Sequence, residues 1–465
     1  MKRQKINQQN TTRLHGFSWE ININWNDKLG LGYSYTRKDD ILGHYHIIME
    51  LIDFNLWWET GAIDRVTASM KRRDMFPELK ESLESRFIEI IIGLRRVGKT
   101  VLMHQLIGYL LNNGIDAKRI FYYAFDIERK DLGKVINEYE EKILHDRIKE
   151  KHVFLFFDEI HKLEDWENKV KVLYDLNPGV KLILSGSASL NLMKKSRESL
   201  AGRARFHYLS PLSFKEFIKF RGEKIPELEE FEIYRRKLEI RLGEFMYKGF
   251  PETIEMEEHK AREYVRELIA ERIIYRDIPE TFRIDDFEII RILADYIFKN
   301  PGIILNIESL SRDLGRHKNT IRNALNYLEL SFLIKRVSNL RGNFLSTSRK
   351  NRKAYPLHPS LSLSKDEDMN LECLVRSETN AEFYWRQQSY EVDFVLKNEK
   401  VIPIEVKNKE RINKRDLKGL LKFCSIVKLK EGFVVSRGGD ERSIAVDGVR
   451  IEIVPVSRFL SVQKY

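Results

Sequence analysis

Gly93 and Gly98 bracket four residues, Lys99 and Thr100 follow at once, and the apolar run "FIEIII" leads directly into them. Glycines at this spacing let several backbone N–H groups turn inward on a short loop, where an anion can be held by all of them together. The next stretch, "VLMHQLIGYLLNNG", repeats apolar residues at helical spacing and stops at Gly114, so the loop opens a helix whose N-terminal dipole favours negative charge. Gly-x-x-x-x-Gly-Lys-Thr between a buried strand and a helix is the Walker A pattern of a triphosphate-binding loop. Read so, Gly93, Leu94, Arg95, Arg96, Val97 and Gly98 wrap the phosphates. Lys99 reaches the β- and γ-phosphates, and the Thr100 hydroxyl binds Mg²⁺. ATP with Mg²⁺ is the expected ligand.

Binding alone does not break a phosphoanhydride bond. In "HVFLFFDEIH" a buried strand ends in two acids. Asp158 is placed to hold Mg²⁺, and Glu159 to orient and polarise the attacking water. "VKLILSGSASL" is a further buried strand ending in small hydroxyl residues. Ser185 or Ser187 at its end can contact the γ-phosphate or the water, with no ground in the sequence for choosing between them. Arg203 in "LAGRARF" is a candidate charge-stabilising arginine, acting in cis or toward a neighbouring subunit.

The C-terminal half carries different chemistry. In "SLSRDLGRHKNTIRNALNYLEL" the first helix is expected to bury Leu310 and Leu314, and the second Ile321, Leu325 and Leu328. The exposed face then offers Arg316, His317, Lys318, Asn319 and Arg322, the side chains a recognition helix presents to DNA. "FLIKRVSNLRGNF" can form a β-wing with Arg341 at its tip. From Ser311 to Lys353 eleven Lys and Arg face two acids, and from Lys400 to Lys422 eight face three. The whole chain carries +11, so the rest is slightly acidic. A positive field confined to one region points to a polyanion, with DNA the expected partner; a protein-binding winged helix is the competing reading. Further on, Asp393 sits on one strand while Glu405 and Lys407 alternate on another and share a face. This resembles the Asp…Glu-x-Lys core of restriction-type nucleases, and Glu372 in "NLECLV" matches the extra acid such folds carry. A second divalent cation held by Glu372, Asp393, Glu405 and Lys407 is therefore one expectation. The other is an inert site whose charges are paired.

The elements that must position these groups follow from the pattern. A chain of 465 residues is too long for one core. Strands alternate with helices from residue 87 to about 208, which implies a parallel sheet covered on both faces. The chain then becomes helical and charged to about residue 284. It returns to strands at "EFYWR", "EVDFVLK", "VIPIEVK", "GFVVS" and "RIEIVPV". Two cysteines, Cys373 and Cys424, build neither a disulfide framework nor a zinc site. No apolar run approaches the ~20 residues of a membrane helix, and the N-terminus lacks an export signal core, so a cytoplasmic protein without membrane contact is expected. A homo-oligomer or a protein partner is left open.

The series "NLWWE", "GLRRVGKT", "FFDEIHKL", "LILSGSASL", "LAGRA", "PLSFKEF" and "KGFPE" resembles a large family of archaeal and bacterial AAA-type ATPases, mostly without assigned roles. The resemblance runs from about Asp53 to the C-terminus. It implies an α/β P-loop ATPase core over 51–208, a helical lid over 209–285 and a winged helix-turn-helix over 286–345. A restriction-endonuclease-like α/β domain would then fill 346–465, with 1–50 an extension of unknown role. The ATPase sheet would have the Walker B strand separated from the phosphate-loop strand. Where relatives show an Asp-containing turn, this chain has "LHPSL" at His358 to Ser360. Taken together, the candidate residues are expected to make an ATP-binding, ATP-hydrolysing protein that couples nucleotide state to DNA binding by its C-terminal half. The alternatives are an ATP-regulated nuclease and a signalling ATPase.

Overall fold

The computed structural model describes residues 51–461 except 128–129, 188–198, 283, 285, 341–350 and 398, gives the backbone alone at Ser187, and describes three strands within the first fifty residues. Those strands, β1 (Arg13–Leu14), β2 (Phe17–Ile23) and β3 (Tyr33–Arg37), form an antiparallel sheet in the order β1-β2-β3. They belong to a unit of their own, Met1–Glu50, and the second unit is Leu51–Tyr465.

The second unit begins with short helices whose aromatic residues clamp the following sheet. Trp57 and Trp58 each donate an indole N–H to the Ile120 carbonyl, and Asn55 bonds both the N–H and the C=O of Tyr122. Five strands follow: β4 (Ile88–Gly93), β5 (Ile120–Ala124), β6 (Val153–Asp158), β7 (Val180–Ser187) and β8 (Ala204–Tyr208). All pairings are parallel, in the order β5-β6-β7-β4-β8. β4, β5 and β6 are buried along their whole length, which is why their sequences read as continuous apolar runs rather than alternating ones. Each fully buried Ile, Leu or Phe there contributes about 1.5–3 kcal/mol of transfer free energy. β7 lies between the phosphate-loop strand β4 and the acid-bearing strand β6, as the resemblance implies. Gly93 is fixed by packing: a Cβ there would collide with the Leu209 carbonyl.

Helices occupy most of the chain from Phe214 to Phe282, and π-helical turns run from Tyr264 to Glu271 and from Ile273 to Asp277. Next come a helix at Glu288–Lys299, β9 (Ile303–Leu305), helices at Ile307–Asp313 and Lys318–Leu330, β10 (Ile334–Asn339) and β11 (Arg352–Pro356). The helix Lys318–Leu330 buries Ile321, Ala324, Leu325 and Leu328. Leu310, on the helix Ile307–Asp313, and Leu314, just after it, are only half-buried.

The remaining strands are β12 (Phe383–Gln387), β13 (Tyr390–Lys397), β14 (Val401–Lys407), β15 (Glu431–Ser436), β16 (Arg442–Val446) and β17 (Val449–Pro455). With β9, β10 and β11 they make one mixed nine-stranded sheet, order β16-β17-β15-β14-β13-β12-β10-β11-β9. The joint is the parallel pair β10 and β12, with Ser338 opposite Phe383. A single sheet therefore runs across the boundary expected between residues 345 and 346. One hydrophobic cluster also joins Phe214, Phe217, Leu238 and Phe245 to Val337, Leu374, Phe394 and Phe459, so part of the expected lid packs on the C-terminal sheet. The "LHPSL" segment belongs to this joint: buried His358 meets the Phe245 ring edge-on and lies where a side chain at Gly249 would be.

Candidate functional site

At the C-terminal edge of the five-stranded sheet, chain direction alone brings the loop after β4, the end of β6 and the end of β7 together. Gly98 opens the following helix with φ of 94°, and Arg96 also takes a positive φ of 63°, the left-handed geometry that turns consecutive N–H groups into one concavity. Lys99 is buried and donates to the carbonyls of Gly93 (3.2 Å) and Leu94 (2.9 Å). An ammonium held by its own loop in this way sits over the concavity, where phosphate oxygens would replace those carbonyls. The loop is braced from behind. Buried Arg73 donates to Val97 O (2.6 Å) and pairs with Glu216 in "PLSFKEF" at 2.8 Å. Burial pushes the Glu216 carboxyl up, but the Arg73 bond and charge outweigh it and hold it below the usual range.

Asp158 is the hub of the site. Its Oδ2 accepts from the Thr100 hydroxyl at 2.6 Å and from the Tyr122 phenol at 2.9 Å, and its Oδ1 accepts from the Ser185 hydroxyl. Thr100 and Asp158 are thus juxtaposed as a Mg²⁺ site requires, one as a direct oxygen ligand and the other through bound water. Ser185, left open beside Ser187, is committed to Asp158 and to the Glu159 N–H (3.2 Å); the Ser187 side chain lies outside the described residues. Glu159 follows in a left-handed conformation, φ 50°. Its carboxylate lies 3.9 Å from Lys99 Nζ and 3.2 Å from His161 Nδ1. Tyr122 and Asp126 were not foreseen. Burial, then the Asp158 charge, hold the Tyr122 phenol well above its ordinary range, so it stays a donor. Desolvation, then the Glu159 and Asp158 charges, push the carboxyl of the solvent-exposed Asp126 up.

The two loop arginines reach the helical region. Arg95 pairs with Asp277 at 3.2 Å and Arg96 approaches Glu252 at 3.8 Å, while Lys162, just past the acids, meets Glu280 at 2.9 Å. Arg203 needs correction as a member of this site in cis. It precedes β8, its carbonyl accepts from Ile88 at the start of β4, and its guanidinium pairs with Asp175 at 2.9 Å. That is the opposite edge of the sheet, roughly 15 Å of strand away from Gly93.

Arg316 and His317, just before the helix Lys318–Leu330, and Lys318, Asn319 and Arg322 in its first turns are all exposed. Several are tied locally: Arg316 to Asp286 (3.2 Å), Lys318 to Glu308 (2.7 Å) and Arg322 to Asn319 (3.1 Å). Arg341 lies outside the described residues.

In the C-terminal sheet the expected acids do converge. Phe394 stands opposite Ile404, which puts Asp393 and Glu405 on the other face together. Lys407 bonds Glu405 at 2.6 Å, and Asp393 Oδ2 accepts from Val406 N at 2.8 Å. The helix Glu367–Thr379 supplies Glu372. Burial, then Asp393, raise Glu405 well above and Glu372 above the carboxylate range. Yet no three His, Cys, Asp or Glu among the described residues are disposed to hold a metal ion, so the expected second cation is unsupported. Lys353 on β11 also reaches into the cluster, 2.8 Å from Glu372 and 2.6 Å from Glu391.

Sheet order, loop and acids together define an AAA-type P-loop ATPase domain. Residues 85–218 match the family model of an AAA domain, while 244–365 and 369–459 match two models described as domains of unknown function, DUF8612 and DUF4143. The chain is 27% identical over 433 residues to the uncharacterized protein MJ1544 of Methanocaldococcus jannaschii, covering 88% of this chain and 96% of that one. An uncharacterized protein of Haemophilus influenzae is 25% identical over 294 residues, 61% of this chain and 71% of that one. Among solved structures, a Walker-type ATPase of Pyrococcus abyssi aligns with 63% of this chain and 94% of its own at 16% identity, with a TM-score of 0.41. No described helix is long and apolar enough to cross a membrane.

Proposed function

We propose that the chain binds ATP with Mg²⁺, hydrolyses it between the Gly93–Thr100 loop and Asp158–Glu159, and passes the nucleotide state to a DNA-binding winged helix. The observation that carries the catalytic part is the hydrogen bond of Thr100 to Asp158 at 2.6 Å, beside a buried Lys99 and with Glu159 next in line. Mg²⁺ bound there would draw charge from the phosphate oxygens as the anhydride bond breaks. The chain's own part is to orient and neutralise. Loop N–H groups and Lys99 hold the β- and γ-phosphates. Tyr122 and Ser185 fix the Asp158 carboxylate, and Glu159 takes a proton from the attacking water.

Support for coupling lies in one short segment. Asp277 and Glu280 hold Arg95 and Lys162 at the nucleotide side, and Phe282, two residues on, stacks on Tyr327 of the recognition-type helix with centroids 4.3 Å apart. Phosphates competing for Arg95 would release Asp277 and shift a segment that touches the helix carrying Lys318 and Arg322. The exposed basic side chains of that helix support nucleic acid as the partner. The test is ATP turnover of the full chain with and without duplex DNA. Stimulation or inhibition that fades with rising salt is expected. Turnover indifferent to DNA at low salt would remove the coupling and leave an ATPase with a protein partner.

A further inference from the structure

We propose that the carboxylate cluster of the C-terminal sheet has a resident cation of its own, the Lys353 ammonium, standing where a divalent ion would otherwise bind. Lys353 Nζ lies 2.8 Å from Glu372 Oε1, 2.6 Å from Glu391 Oε1 and 3.9 Å from Asp393 Oδ1, with the lysine side chain only 6% exposed. An ammonium has three N–H donors and no acceptor, and three carboxylates from two elements surround this one. Glu372 comes from the helix Glu367–Thr379, and Glu391 and Asp393 come from β13. Tyr355, on the same face of β11 two residues along, also donates to Glu372 at 2.5 Å. Asp393 has given its second oxygen to the Val406 N–H. Glu405 has given one to Lys407, and its Oε2 is buried with no hydrogen-bond partner among the described residues.

The arrangement satisfies an ammonium and not a divalent ion. Mg²⁺ or Mn²⁺ needs about six oxygens at roughly 2.1 Å in octahedral array. Here the oxygens of Glu372 and Glu391 are already drawn onto a monovalent charge at hydrogen-bond distance, and an incoming dication would meet that charge at close range. Lys353 does a second thing: it ties β11, at the winged-helix end of the sheet, to β13 and the helix behind it. Removing the amine while keeping the side chain's bulk should open the site. Glu372 and Asp393, not disposed to hold an ion as they stand, would then be free to close on a metal with the orphan oxygen of Glu405.

This inference does not rest on ATP hydrolysis: the Mn²⁺ readout is independent of it, and where turnover is absent the circular dichroism spectrum of Lys353→Met replaces it as the check on folding. Mn²⁺ would be titrated into the nucleotide-free full chain and followed by electron paramagnetic resonance, for the native sequence, Lys353→Met, Glu405→Gln and the double variant. ATP turnover of Lys353→Met serves as the check on folding. The native chain should bind no Mn²⁺ that Glu405→Gln removes. Lys353→Met should gain one Mn²⁺ per chain, at least tenfold tighter than any the native chain holds there, and lose it with Glu405→Gln. A Mn²⁺ in the native chain that depends on Glu405 overturns the proposal. So does a Lys353→Met chain that turns over ATP normally yet gains no ion. If Lys353→Met folds only with Mn²⁺ present, the metal has taken over the ammonium's part and the proposal stands. If it folds under neither condition, the native and Glu405→Gln titrations decide alone.

Discussion

Replacing Tyr122 by Phe removes one oxygen atom from the interior and leaves the ring packing in place. The lost group is a buried phenol that donates to Asp158 Oδ2 at 2.9 Å. A hydrogen bond to a charged acceptor is worth about 1.5–3 kcal/mol net. Asp158 keeps Thr100 and Ser185 as donors, so the fold should survive. The effect should fall on the magnesium step, because Thr100 must give up Asp158 to bind the metal. At that moment the native carboxylate is held by Tyr122 and Ser185, whereas the variant's is held by Ser185 alone. At about 1.4 kcal/mol per decade, the apparent Mg²⁺ affinity in ATP hydrolysis should drop roughly 10- to 100-fold. Nucleotide affinity measured in EDTA should stay within about threefold, since the phosphates are held by the loop and Lys99. The assay is steady-state turnover at saturating ATP across a Mg²⁺ titration. A Tyr122→Phe curve that overlays the native one would refute the claim that the phenol positions the metal-binding acid.

Replacing Arg316, Lys318 and Arg322 together with Ala should lower the salt slope of DNA binding by up to about three units, at roughly 0.9 per phosphate contact; binding isotherms at four salt concentrations would read it, and an unchanged slope would move the DNA surface elsewhere. Glu378 gives a pH prediction. Burial lifts its carboxyl from 4.5 to about 8 while the Phe214 N–H pulls the other way. The folded state therefore keeps a proton that the unfolded state releases, and stability should fall as pH rises through that window, by up to about 1.4 kcal/mol per unit. Denaturant unfolding of Glu378→Gln from pH 5 to 8 should show the slope flattened; an identical slope would mean that the group does not titrate there.

The candidate nucleotide site is legible because its residues are local in the sequence. Gly93 to Thr100 are contiguous, and Asp158 and Glu159 end a run too apolar to be anything but a buried strand. Tyr122 escaped because "RIFYYAF" reads as core, and nothing in a buried tyrosine's neighbours along the chain reveals that its hydroxyl meets an acid 36 residues on. Lys353 was hidden more thoroughly. In a run with Arg349, Lys350 and Arg352 it reads as one more charge of a basic surface, yet it is 5% exposed, and its partners lie on a helix and a strand that only the sheet order brings near. Arg203 shows the converse: an arginine after a small-residue turn looks available in cis, but the parallel pairing of β8 with β4 places it at the opposite edge of the sheet, where only the option of action toward a neighbouring subunit is left open. The joined sheet is illegible for a similar reason: β10 pairs in parallel with β12 across the intervening segment, a contact that no local pattern announces.

The proposed catalysis requires Glu159 to activate water beside ATP held by Asp158, Thr100 and Lys99. The most direct measurement is single-turnover hydrolysis by Glu159→Gln beside a binding titration of the same protein with Mg²⁺ and ATP. A general base contributes about 10²- to 10⁴-fold, so binding should remain within roughly threefold of native while the rate falls at least about a hundredfold. A Glu159→Gln chain that hydrolyses ATP at the native rate would contradict it.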